Sequence, residues 1–287
     1  MTGWMAAEPV DNHWADLQQA QARWPAFFAG LDAQFLPPQS THWPDTATLS
    51  SALDGRAAQV RGFRAQDPAL AYSGADYERE IFAHGLIPTR PQSPHDLFNA
   101  LSWLRWPAAK AALNRAHVRE LAHASQPRNR CRDALTLLDE AGVLVLSPAA
   151  ELLEHLAGHQ WQTAWVQHRQ RWQQQVRCLM FGHGLLEQCL SPHVGLTAKA
   201  LLIQVEPECM EDEASIDAWL AGQIDQRSFN HPHQLSPLPL LGVPDLWPDN
   251  ENPAFYNNHD YFRPPSTRRP PAPLFKEALI NSVAPQA

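Results

Sequence analysis

The chain has 287 residues and a formal net charge of -8, with 44% hydrophobic and 18% charged residues. That length suits one large domain or two small ones and can bury a substantial core. The acidic balance argues against a nucleic-acid partner, whose footprint is a basic stripe. No apolar run approaches the ~20 residues of a spanning helix, so no membrane partner is expected. Cys131, Cys178, Cys189 and Cys209 are scattered without a C-x-x-C. Neither a zinc knuckle nor a redox dithiol is indicated, and the pattern suits reduced thiols. The opening Met1-Thr2-Gly3-Trp4 lacks the basic and apolar regions of a secretory leader. A soluble, cytoplasmic protein is expected.

Residues 1–30 read as amphipathic helix anchored by Trp14, Leu17, Trp24, Phe27 and Phe28. Residues 31–75 read as loops and short helices broken by Pro37-Pro38 and Pro44. A short helix from Tyr77 to His84 ends near Gly85, and an extended link follows at 87–91. The next helix has clear limits. Ser93 can cap it, Pro94 fits its first position, Asp96 stands where a capping-box acid would be, and Pro107 stops it after Trp106. A second, Ala-rich helix runs from Ala108 to His123, and 126–130 form a loop.

Asp133–Asp139 reads as a strand, 140–142 as a turn and Val143–Leu146 as the returning strand. A helix opens at Pro148 and ends near Gly158. A long Gln- and Trp-rich helix follows to Leu190. Thr197–Val205 reads as a third strand and Ser215–Gln226 as a short helix. Eleven of the 26 prolines then fall between Pro232 and Pro273, a density that precludes long helices and central strands. The same segment keeps Leu238, Leu240, Leu241, Trp247, Tyr256 and Phe262, so it is expected to wrap the core. The expected class is α+β, predominantly helical, with a small antiparallel sheet packed on long helices. The expected organisation is one globular domain over 1–265 and a flexible Pro-rich tail over 266–287.

Two polar pairs stand out. His95 and Asn99 are four residues apart in a segment that otherwise reads as core, and so are His183 and Glu187. Spacing of four puts each pair on one helix face, and buried polar groups must be satisfied. His can ligate a metal or move a proton, and Asn can orient a substrate or water. His95, His183 and Glu187 are therefore the candidate metal ligands, and these three with Asn99 the candidate catalytic residues. A structural role competes in each case, since His95 lies at a helix N-terminus and there is no H-E-x-x-H. Gly182 and Gly184 flank His183 and imply either tight helix packing or close approach of a ligand.

Arg128, Arg130 and Arg132 precede Asp133, and such a cluster binds an anion or pairs with nearby acids. Lys199 lies in an otherwise apolar strand, either as an anion binder or as a strand-edge lysine snorkelling to water. Arg90, Arg132, Asp133 and Lys199 are thus the candidate binding residues. No G-x-S-x-G, Walker loop or G-x-G-x-x-G is present.

Several stretches together resemble the bacterial domain of unknown function 3025 family. They are Pro88-Thr89-Arg90, His95 to Leu101, Trp103-Leu104, Arg132 to Leu137, Asp139-Glu140, Phe181-Gly182-His183, Gly195 to Ala200, Pro237-Leu238-Pro239, Leu241 to Pro244, Phe255-Tyr256 and Phe262-Arg263-Pro264. The resemblance covers roughly residues 20 to 265. It implies a single bacterial domain and carries no activity, cofactor or partner. Two readings follow. One is a metal-assisted hydrolase acting on an anionic small molecule, with a divalent metal as the cofactor and Asn99, Lys199 and Arg90 positioning the substrate. The other is a non-catalytic domain that binds a small molecule or a protein, its polar residues forming a structural network. No motif identifies a protein partner.

Overall fold

The computed structural model describes residues 13–57, 59–67, 72–122, 129–265 and 270–276. The start of the first expected helix (1–12), His123, the loop at 126–128 and most of the expected tail lie outside these residues. Helix α1 (His13–Arg23) leads through a short 3-10 turn to α2 (Thr46–Leu53) and strand β1 (Gly62–Ala65). Helix α3 (Gly74–His84) is capped by Ser73 and closed by Gly85 at φ 64°, where glycine takes the left-handed turn without steric cost. Strand β2 (Leu86–Thr89) then pairs with β1 in parallel. Helix α4 (Pro94–Arg105) starts as the sequence indicated, with Ser93 Oγ accepting from the Asp96 amide. Helix α5 (Pro107–Ala122) follows directly.

The expected strand at 133–139 is a helix, α6 (Arg130–Ala141). Asn129 caps it by accepting from the amides of Cys131 and Arg132. Ala134, Leu135 and Leu138 form one buried stripe, which is helical rather than alternating spacing. Helix α6 runs straight into β3 (Gly142–Ser147), followed by α7 (Ala150–Ala157). The expected long helix to Leu190 is broken into a π-turn at Thr163–Gln167, α8 (Arg169–Gln175), β4 (Arg177–Met180) and α9 (His183–Gln188). Strand β5 (Thr197–Gln204), α10 (Glu213–Asp225), β6 (Ser236–Pro239) and the short β7 (Phe275–Lys276) complete the chain.

The α+β, mostly helical character holds, but the main sheet is mixed. Its order is β4-β3-β5-β6, with β7 also on β5. β3 and β5 run parallel, while β4 and β6 add antiparallel edges. Both faces are buried: Val143, Val145, Ala200 and Leu202 enter one core, and Leu144, Leu146, Leu201 and Ile203 the other. This explains why β3 and β5 read as continuous apolar runs. The second core is filled by α5, α6 and α10 through residues such as Leu113, Leu138 and Leu220.

The Pro-rich segment wraps the first core. Pro237 and Pro239 sit on β6, an edge strand where a missing N–H is tolerated. Tyr256 OH donates to the Gly242 carbonyl (2.8 Å), Tyr261 OH to that of Leu196 (2.7 Å), and buried Asn250 to those of Leu241 and Val243. No helix among the described residues is long and apolar enough to cross a membrane.

Candidate functional site

Five helices, α3, α4, α5, α6 and α9, place polar side chains around a pocket of about 420 Å³. α4 presents His95 and Asn99 on one face, as their spacing required. α9 presents His183, which is buried, and Glu187 one turn on. The two helices meet so that the His95 and His183 rings lie 4.6 Å apart, edge to face. Glu187 Oε2 lies 2.8 Å from His95 Nδ1. That contact leaves Nε2 as the ring nitrogen Glu187 does not engage.

α6 contributes what the strand reading obscured. Asp139 and Glu140 are successive residues at its last turn, and both reach the pocket. Glu140 Oε1 is 3.6 Å from His183 Nε2, and Asp139 Oδ1 is 3.9 Å from His183 Nδ1. One ligand atom from each of His95, Glu140 and His183 lies within 4.8 Å of the others. His183 Nδ1 is buried and has no hydrogen-bond partner. The two glycines now have a reason. A Cβ at Gly182 would overlap the backbone of Glu140–Gly142, and one at Gly184 would overlap the Glu140 carboxylate. Glycine at 184 therefore lets that carboxylate stand beside His183.

Behind this trio runs a polar chain from α5. Lys110 Nζ, buried, pairs with Asp139 and donates to Asn99 Oδ1 at 3.0 Å. It also faces the Trp103 ring. Asn99 Nδ2 donates to Tyr77 OH at 2.8 Å. Further along α5, Asn114 donates to Glu78 Oε2 at 2.6 Å, and His117 also lines the pocket.

Burial sets the protonation states. It pushes the Glu78 carboxyl up to about 7, against the Asn114 hydrogen bond. It pushes His183 down to about 3 despite the Asp139 charge, and His117 down to about 4, so both imidazoles are neutral at pH 7. Burial also raises Tyr77 well above its usual range. Asp139 feels the same desolvation, yet the Lys110 ammonium and His183 outweigh it and hold the carboxyl below its ordinary value. Glu140 is raised by burial and by the neighbouring Asp139 charge.

The remaining sequence candidates divide. Arg90 and Arg132 line the pocket. Arg90 is held by Asp96, with Nη2 2.7 Å from Oδ1 and Nε 3.1 Å from Oδ2. The Asp96 carboxylate thus anchors Arg90, also accepting its amide, rather than closing a capping box. Asp133, on the first turn of α6, and Lys199, on β5 between Gly142 and Pro237, are not among the pocket-lining residues. Glu187 enters through His95 rather than beside Glu140. Sequence reasoning missed Glu140, Lys110, Tyr77, Glu78, Asn114 and His117. One signal was available: Lys110, Asn114 and His117 follow i, i+4, i+7 spacing on an Ala-rich helix, a single polar stripe.

A second trio, Glu151, His155 and His168, also brings ligand atoms within 4.8 Å. It lies at the surface, and Arg171 pairs with its carboxylate at 3.0 Å. The pocket trio has no such competitor on Glu140 among the described residues.

The chain matches the family model described as protein of unknown function (DUF3025) over residues 62–266, and it belongs to that family. The matched span holds the pocket-lining side chains, and α1 and α2 precede it. No curated protein and no solved structure matches the chain.

Proposed function

We propose that this chain is a metal-assisted hydrolase of an anionic small molecule, with a divalent metal held by His95, His183 and Glu140. The observation that carries this reading is the convergence of those three ligands, from α4, α9 and α6, at one wall of a pocket. Two imidazoles and one carboxylate suit zinc or a similar divalent ion, and a three-ligand set keeps a coordination position open. Such an ion supplies a bound water of lowered pKa. The protein's own groups support the rest of the reading. Glu187 fixes the orientation of His95 from behind, the usual place of a carboxylate partner to a ligating histidine. Asp139, kept ionised by Lys110, stands beside the trio and would act as the base for a water activated there.

The closed chain Tyr77–Asn99–Lys110–Asp139 favours a second reading, a binding protein whose network fixes the pocket without turnover. Metal content of untagged wild type and His183→Ala, followed by a chelator-controlled screen of ester, amide and phosphate hydrolysis, separates the two. The hydrolase reading expects about one metal per chain, lost in the variant, and chelator-sensitive turnover. Metal-free wild type that cannot be reloaded overturns it. Stoichiometric metal without turnover of any of the three bond classes favours the binding protein.

A further inference from the structure

We infer that the end of this pocket formed by Arg132, Glu78 and His117 is an anion-recognition subsite that takes a carboxylate or phosphate group of the ligand. The inference rests on the reading of this pocket as a small-molecule site, and it names the class of molecule.

Arg132 carries the argument. Three cationic side chains line the pocket: Arg90, Lys110 and Arg132. Arg90 is forked onto Asp96, and Lys110 is consumed by Asp139 and Asn99. Arg132 Nε is buried and has no hydrogen-bond partner among the described residues. Guanidinium is always charged and presents donors only, so an Nε–H of a pocket-lining arginine without a partner favours an oxygen acceptor. Its fork matches the two oxygens of a carboxylate or phosphate better than it matches a neutral group.

The neighbouring groups leave Arg132 Nε unpaired among the described residues. Glu78 and His117 both feel the Arg132 charge. Yet Glu78 Oε2 is taken by the Asn114 amide rather than by Arg132 Nε. Burial pushes the Glu78 carboxyl up to about 7, so the protonated form is within reach at neutral pH. It can then donate to a ligand oxygen rather than repel it. His117 is neutral and has one ring N–H to offer. An anion set here would meet the full positive charge of Arg132, the His117 N–H and, where Glu78 is protonated, its O–H, in the same pocket that His95, Glu140 and His183 line.

The test uses the full-length, chelator-treated protein, with inorganic phosphate and succinate as separate probes in calorimetric titrations. Wild type, Arg132→Gln, Arg132→Lys and His183→Ala are compared, with circular dichroism melts to establish folding. One of the two anions is expected to bind wild type and His183→Ala alike. Binding should fall at least tenfold in Arg132→Gln and be partly restored in Arg132→Lys. Phosphate alone assigns a phosphate monoester, and succinate alone assigns a carboxylate. Failure of both anions to bind wild type overturns the subsite, as does equal binding by wild type and Arg132→Gln. If Arg132→Gln does not fold, Arg132→Lys decides: unweakened binding, with the fork replaced by a point charge, overturns it. Binding lost in His183→Ala but kept in the Arg132 variants moves the anion to the metal ligands and overturns the subsite alone. Arg132-dependent binding in a protein that takes no metal leaves the subsite standing and overturns the hydrolase reading.

Discussion

Replacing Glu78 by Gln should change how stability depends on pH. The carboxyl is buried on α3 against Asn114, and desolvation lifts it from 4.5 to about 7. The folded protein then holds the Glu78 proton more tightly than the unfolded chain does. Below pH 4.5 both states are protonated. Between 4.5 and 7 the native state binds more protons, so stability falls as pH rises, and above 7 the full loss is in place. A difference of about 2.5 pH units at 1.36 kcal/mol each makes that loss roughly 3 kcal/mol. Gln copies the protonated shape, can still accept from Asn114 Nδ2, and cannot ionise. The variant should therefore match wild type near pH 4.5 and exceed it by up to roughly 3 kcal/mol at pH 8. Urea unfolding followed by far-UV circular dichroism at several pH values between 4.5 and 8, with unchanged m-values, reads the difference directly. A wild-type-minus-variant difference that stays flat across this range would refute the reasoning.

Three other outcomes follow from the same packing. Lys110→Met leaves Asp139 beside a buried apolar group and removes the donor to Asn99, so unfolding free energy should drop by about 3–5 kcal/mol; a loss below about 1 kcal/mol would mean the pair is solvated. Gly184→Ala pushes a methyl into the Glu140 carboxylate, and competition titration with zinc should find binding weakened at least ~10-fold in a protein that still melts cooperatively. Asp217→Ala removes a carboxylate that accepts from the Ala108 and Ala109 amides at the start of α5, which should cost about 1–2 kcal/mol in thermal melts, with unchanged metal binding.

What the sequence revealed depended on whether the controlling interactions were local. The α4 boundaries were legible because Ser93, Pro94 and Pro107 act within a few residues of themselves. The His95/Asn99 and His183/Glu187 pairs were legible because four-residue spacing is a property of one helix. The juxtaposition of the two pairs was not, since the whole stretch from α5 to β4 separates α4 from α9 in sequence and the two helices meet only through packing. The strand reading of 133–139 passed over the Asn129 cap and the Leu135–Leu138 stripe. That error moved Glu140 into a turn and hid it from the site. β4 is four residues long and is fixed by pairing with β3, so nothing local in the Gln- and Trp-rich stretch announced it. The parallel β3–β5 pairing joins residues across the whole α7–α9 excursion and left no trace short of the fold itself. Lys110 could be read only through the polar stripe it shares with Asn114 and His117, because alanine on most faces of the helix does not show which face is buried.

Equilibrium titration of chelator-treated protein with cobalt(II), followed by its visible absorption, tests the central claim most directly. The account predicts about one equivalent bound by wild type. It predicts binding abolished in His95→Ala, His183→Ala and Glu140→Ala, and weakened about 10–100-fold in Glu187→Gln, where only the orienting partner of His95 is lost. Wild-type affinity retained in both His183→Ala and Glu140→Ala would contradict it.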